Sequence, residues 1–117
     1  MYKTYGELLA SIEDLSKLDI RIGRVTAIED IEGAKSPVFK LNVYLGEEIG
    51  MRVIVAGIKN SYSKEQLLNK QIVCIVNLEP KKIANVISNG MLLASGEGEH
   101  IVLLSPEKEI EDGSIVR

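Results

Sequence analysis

The sequence predicts an all-β domain carrying short helices. Three observations point to it. Short β-branched segments alternate apolar and polar positions, turns rich in glycine separate them, and two places carry the start signal of a helix. A chain of 117 residues is expected to hold one core and not two. Its 45% hydrophobic and 26% charged residues match an ordinary globular protein.

Thr4-Tyr5-Gly6-Glu7 has the Thr-x-x-Glu spacing of a capping box, and Leu8, Ile12 and Leu15 follow at helical spacing. Residues 5–15 are therefore expected as a short amphipathic helix, which needs a surface to pack on. From Ile20 through Ile22 to Val25 the period becomes that of a strand, with Gly23 expected as a bulge. Residues 31–37 (IEGAKSP) read as a loop. Phe39, Leu41, Val43 and Leu45 then alternate with Lys40, Asn42 and Tyr44, a strand with a polar outer face.

Gly46 to Gly50 reads as a turn and Arg52 to Ile58 as a third strand. Ser63-Lys64-Glu65-Gln66 is a second capping box, opening one or two helical turns that reach Leu68. Gln71 to Leu78 is the fourth strand, Gly90 to Ala94 the fifth, and His100 to Leu104 an added strand. Gly96-Glu97-Gly98-Glu99 joins two strands and carries two carboxylates, which favours a hairpin turn over a phosphate loop. Strand, strand, strand, short helix, strand, strand is the order of an OB-fold, a five-stranded Greek-key barrel. Residues 1–117 are expected as a single domain: an N-terminal helix in 1–15, the barrel with its added strand in 16–104, and a C-terminal extension in 105–117.

Composition narrows the function. One cysteine, Cys74, excludes an internal disulfide and a cysteine-based metal cluster, and its place in a strand reads as a small buried hydrophobe. With His100 as the one histidine, nothing local supports a nucleophile with its base. No Walker A motif, metal-ligand cluster or paired acid and base stands out, so neither catalysis nor a cofactor is expected. Apolar runs such as Ile72 to Val76 are far short of the roughly 20 residues that span a bilayer. The start, Met1-Tyr2-Lys3-Thr4, lacks the pattern of a signal peptide, and the protein is expected in the cytoplasm.

The formal net charge of -3 argues against nucleic acid until it is located. Residues 1–34 carry four basic and seven acidic groups, residues 35–90 eight and four, and residues 91–117 two and six. A basic middle lies between acidic ends. Charges beyond a Debye length of about 10 Å are largely screened, so a local basic face can bind phosphates whatever the total.

Within that middle, "NLEPKKIANVISNGMLLAS" (residues 77–95) is the least ordinary stretch. It resembles the signature of the tRNA-binding OB-domain family: Asn-Leu-x-Pro, two basic residues, then a short link to Ser-x-Gly-Met-x-Leu-Ala. "IRIGRVTAIED" resembles the family's first strand, and "IVAGIKNSYSKEQLLNKQIVCIVNL" its third strand, helix and fourth strand. The resemblance spans roughly residues 16–117. It implies structure-specific tRNA binding without catalysis, as in the C-terminal domain of methionyl-tRNA synthetase, and a homodimer when the domain stands alone. A free-standing member would act as a trans-acting partner or β subunit of methionyl-tRNA synthetase. The second-strand stretch "AKSPVFKL" is closer to a related branch, the CsaA-type export chaperones that bind unfolded polypeptides, whereas "SNGMLLA" is closer to the tRNA-binding branch.

The ligand face of an OB-fold lies across strands two and three and the flanking loops. Lys81 and Lys82 fall on the loop between strands four and five, where ammonium groups neutralise phosphates. Asn85, Ser88 and Asn89 offer polar groups for a ribose or a base edge, and Met91 a polarisable surface for a base. Lys35, Lys40, Arg52 and Lys59 complete the expected set. Plain readings stand beside these: a solvated loop for the lysines, core for Met91, and a simple turn for Ser88-Asn89-Gly90. Phe39 reads as core, Tyr44 and Tyr62 as better stacking candidates, and His100 as a surface residue without a role.

Overall fold

Alternation in sequence becomes a two-faced strand at residues 39–44, where Phe39, Leu41 and Val43 are buried and Lys40, Asn42 and Tyr44 are half-buried. The structure, a computed structural model, describes residues 8–117. In chain order its strands are β1 (Ile20–Asp30), β2 (Phe39–Tyr44), β3 (Met51–Ala56), β4 (Gln71–Ile75), β5 (Lys81–Ile83), β6 (Val86–Ser88), β7 (Met91–Leu92), β8 (Ala94–Glu97) and β9 (His100–Leu103). The short helices are α1 (Ile12–Ser16), α2 (Gly46–Ile49) and α3 (Lys64–Leu67).

The main sheet runs β3-β2-β1-β4-β7, every neighbour antiparallel. β1 is long enough to serve both sides, pairing β4 along Ile20 to Arg24 and β2 along Arg24 to Asp30. Val25, Leu41, Val43, Leu45, Ile54, Leu67, Ile72 and Cys74 fill the interior without measurable exposure. Each fully buried aliphatic side chain of this kind contributes roughly 1.5–3 kcal/mol of hydrophobic stabilisation. The result is a nearly closed five-stranded barrel, the OB-like fold that the element order predicts.

Gly23 and the bulge separate. The register of β1 against β2 shifts between Val25 and Ala27, placing the irregularity at Thr26. Gly23 answers a different need: a Cβ there would lie 2.5 Å from Val43 Cγ1 and 2.8 Å from Leu45 Cδ2. Two core side chains press against its backbone, so the missing side chain is what lets β1 cross them.

Helix starts follow the same chemistry with one displacement. At α3 the hydroxyl of Ser63 accepts from Gln66 N at 3.2 Å while Ser63 N donates to Gln66 Oε1 at 2.8 Å, the reciprocal box expected there. The Thr4-to-Glu7 box lies outside the described residues. Within them the N-terminal helix covers Ile12–Ser16 and not the whole of 8–15, because Ser11 and Asp14 form a capping box of their own at 2.9 and 3.1 Å. Gly46–Ile49, read as a turn, winds into one helical turn.

The C-terminal extension folds back on β1. Val116 N donates to Ile20 O at 2.8 Å, Ile22 N to Ser114 O at 2.9 Å and Gly113 N to Ile22 O at 2.7 Å, so the tail lines the first half of β1. Gln71 secures it. Its Nε2 donates to Ile110 O at 2.6 Å and Asp112 Oδ1 at 2.8 Å, and its Oε1 accepts from Ile110 N at 3.2 Å. Of the expected turn Gly96 to Glu99, Gly96 and Glu97 end β8, paired with Ile101 and His100, and Gly98-Glu99 alone make the reversal of the β8–β9 hairpin.

Candidate nucleic-acid interface

Residues 81–88, expected as a loop, form a β-hairpin. Lys81 pairs with Ser88, Lys82 with Ile87 and Ile83 with Val86, leaving Ala84 and Asn85 as a two-residue reversal. Both have positive φ, 49° and 66°, the requirement of a type I′ turn. Asn accepts that region readily, whereas Ala strains by about 1–2 kcal/mol. Lys81, Lys82 and Asn85 are exposed along this arm.

The arm is anchored by the corner that follows. Ser88 is 4% exposed, and its hydroxyl accepts from Val55 N at 2.9 Å while donating to Gly90 O at 3.4 Å. Asn89 N donates to Val53 O at 2.8 Å. Gly90 follows at φ 136°, where a Cβ would lie 3.1 Å from both Ile54 Cδ1 and Ile75 O. Ser88-Asn89-Gly90 is thus the latch between β3 and β7, at the one seam where the main sheet lacks a regular ladder. The expected ligand-reading hydroxyl of Ser88 faces inward and is fully engaged in this closure.

The remaining expected residues divide in two. Arg52 Nη1 donates to Val76 O at 3.0 Å and to Asn89 O at 3.4 Å, bracing the same corner from β3. Lys40 lies 3.7 Å from Glu29, and Lys59 lies 2.9 Å from Asp30 and 5.9 Å from the Phe39 ring centroid. Lys35 is exposed on the loop between β1 and β2. Among the described residues, Lys35, Lys81 and Lys82 have no ion-pair partner. Met91 is 47% exposed at the start of β7, a surface residue and not core.

Of the tyrosines, Tyr62 packs on the core and its hydroxyl accepts from Leu103 N at 3.0 Å, while Tyr44 is half-buried. Phe39 is buried and His100 exposed. Cys74 is buried, and burial pushes its thiol up to about 12, which suits a packing residue and not a nucleophile.

Sequence reasoning overlooked Lys64, which joins Lys59 on Asp30, and the task of Asn77. The Asn77 amide accepts from Asp19 N at 2.7 Å and donates to Lys17 O at 2.8 Å, tying the end of α1 to the end of β4. The acidic pair Glu29-Asp30 beside a basic stretch was the available sign of the first. The position of Asn77 at a strand end was the sign of the second.

The sequence profile of the tRNA binding domain family matches residues 20–115, which includes the arm, the latch and the whole barrel. The chain belongs to this tRNA binding domain family. It is 46% identical to the methionine–tRNA ligase of Pyrococcus furiosus over 92% of the chain, and 41% identical to that of Pyrococcus abyssi over 95%. The chain spans only 14–15% of the length of these ligases. Among solved structures, the CsaA chaperone protein from Picrophilus torridus superposes with a TM-score of 0.86 at 38% identity, over 93% of this chain and 100% of that one. A MetRS-related protein from Pyrococcus horikoshii gives 0.83 at 31% identity, over 93% and 98%. Both branches that the sequence resembles therefore share this tRNA binding domain fold. Among its described residues no helix is long and apolar enough to cross a membrane.

Proposed function

We propose that the chain is a non-catalytic module that binds tRNA by its structure, acting in the cytoplasm as a trans-acting partner or β subunit of a methionyl-tRNA synthetase. One observation carries the reading. A strained two-residue hairpin holds Lys81, Lys82 and Asn85 out from the barrel, and a closed set of hydrogen bonds fixes its base. Strain of this kind persists where the surrounding structure over-determines it, and it clusters at ligand sites. Exposed ammonium groups there meet phosphates, Asn85 meets a ribose or base edge, and Lys35 extends the face across the β1–β2 loop. Met91 supplies an apolar contact for a base. Ser88, Asn89 and Arg52 position the arm.

The chain is further read as a two-fold homodimer. Leu8, Leu9, Ile12, Leu15 and Leu18 are exposed, Ile12 to 84%, and Ile110 and Ile115 add apolar surface on the C-terminal extension. We read these exposed apolar side chains near the two ends of the chain as an interface. The symmetric arrangement is the commonest closed one.

A second reading, a CsaA-like chaperone for unfolded polypeptide, is favoured by an apolar groove of about 220 Å³ lined by Val55, Ile58, Met91, Leu92, Ile101 and Leu103. A gel shift with total tRNA, run beside one with a reduced, unfolded polypeptide, separates the two. Retardation of tRNA alone supports the first reading, and retardation of the polypeptide alone replaces it with the second.

A further inference from the structure

The lysines of the basic middle are not equally available to a ligand. Where β1 ends, the Asp30 carboxylate takes one ammonium group on each oxygen: Lys59 at 2.9 Å and Lys64 at 2.8 Å. Glu29, the residue before it, lies 3.7 Å from Lys40 across the β1–β2 ladder. Lys35, Lys81 and Lys82 have no such partner among the described residues.

We propose that Asp30 is a specificity-determining residue of the binding face, occupying Lys59 and Lys64 as an internal anion so that phosphates are directed to Lys35, Lys81 and Lys82. The inference deepens the reading of this face as an RNA-binding surface and rests on it.

The effect is one of charge and not of stability. The three side chains are about half exposed, at 46%, 52% and 44% for Lys59, Asp30 and Lys64, and exposed pairs stabilise a fold little. Yet the carboxylate stays within hydrogen-bond distance of both ammonium groups. An arriving phosphate meets that negative charge far inside a Debye length of about 8 Å. Hydrogen bonds from Lys64 and then Lys59 hold the Asp30 carboxyl below its ordinary value, so it remains anionic throughout the neutral range. Without this charge the rim would attract any polyanion. With it, a ligand must place its phosphates near the hairpin arm and the β1–β2 loop, a matter of three-dimensional shape.

The test compares the full chain with its Asp30→Asn variant in binding to poly(U) and to tRNA across a salt series. Each added phosphate contact on a single strand steepens the plot of log K against log salt by roughly 0.7. Freeing Lys59 and Lys64 therefore steepens the poly(U) slope by about 1.4 and lowers the preference for tRNA. In the Asp30→Asn/Lys59→Ala/Lys64→Ala variant the slope returns to its original value. An unchanged slope in Asp30→Asn, or a steeper one that survives removal of both lysines, would overturn the proposal. Wild-type protein that binds poly(U) but not tRNA would count against the proposed function, while the poly(U) slopes still judge Asp30.

Discussion

The backbone amide of Val55 donates to the hydroxyl of Ser88 at 2.9 Å, a side-chain bond that takes the place of a missing ladder rung between β3 and the far edge of the sheet. Ser88→Ala leaves a buried N–H without an acceptor, which costs about 1–3 kcal/mol. The unfolding free energy is expected to fall by that amount, read as a lower urea midpoint at an unchanged m-value. Any loss of tRNA affinity should follow from loosening of the arm. A variant as stable as the parent would show that Val55 finds another acceptor.

Met91 is expected to behave oppositely. Truncating a buried methionine costs about 2–5 kcal/mol. At 47% exposure Met91→Ala should fall well below that range, while tRNA affinity drops with the salt slope intact because no charge is removed. Thermal melts and fluorescence anisotropy check the two halves. A large loss of stability would return Met91 to the core.

The C-terminal extension should detach in acid. Burial raises the Asp112 carboxyl, but the hydrogen bonds from Arg24 and Gln71 and the charge of Arg24 lower it, and the folded pKa lies below the ordinary value. A depressed carboxylate pKa stabilises fully above the unfolded value of about 3.9, and that contribution is lost as pH falls below it. Exchange protection of the Gly113 and Val116 amides is therefore expected to weaken below about pH 4, earlier than that of the barrel. In Asp112→Asn the acid dependence shrinks. The same dependence in the variant would place its origin elsewhere.

Assembly is tested at the ends of the chain. Sedimentation equilibrium at micromolar concentration is expected to give a dimer for the full chain and a monomer for a version lacking residues 1–15 and 106–117. A monomeric full chain, or a truncated chain that dimerises equally well, would contradict this use of Leu8, Ile12, Leu15 and Ile115.

Periodicity and capping made the barrel legible. The strand alternation at 39–44 and the Ser63 box are local patterns, and both form as read. Local patterns also compete: Thr4-x-x-Glu7 and Ser11-x-x-Asp14 are equivalent in sequence, and the second is the one within the described residues. Gly23 marked a special position without saying whether the cause was a bulge or the approach of Val43 in β2 and Leu45 just after it. The β5–β6 hairpin escaped notice because Ala84-Asn85 lacks the glycine that usually announces a type I′ turn. Availability of the lysines was the least legible feature. Lys59 and Lys64 meet Asp30 from about 30 positions away, a pairing that the fold creates and no local pattern encodes.

The hairpin lysines carry the central claim, and the salt dependence of tRNA binding reads them directly. With Lys35, Lys81 and Lys82 each contacting one phosphate, log K is expected to fall against log salt with a slope of about -2.1 to -2.7, at roughly 0.7 to 0.9 per contact. Lys81→Ala/Lys82→Ala should weaken binding and flatten the slope by about 1.4 to 1.8 while the thermal melt stays unchanged, both side chains being exposed. A double variant with the parent's affinity and slope would contradict the account and remove the hairpin from the tRNA interface.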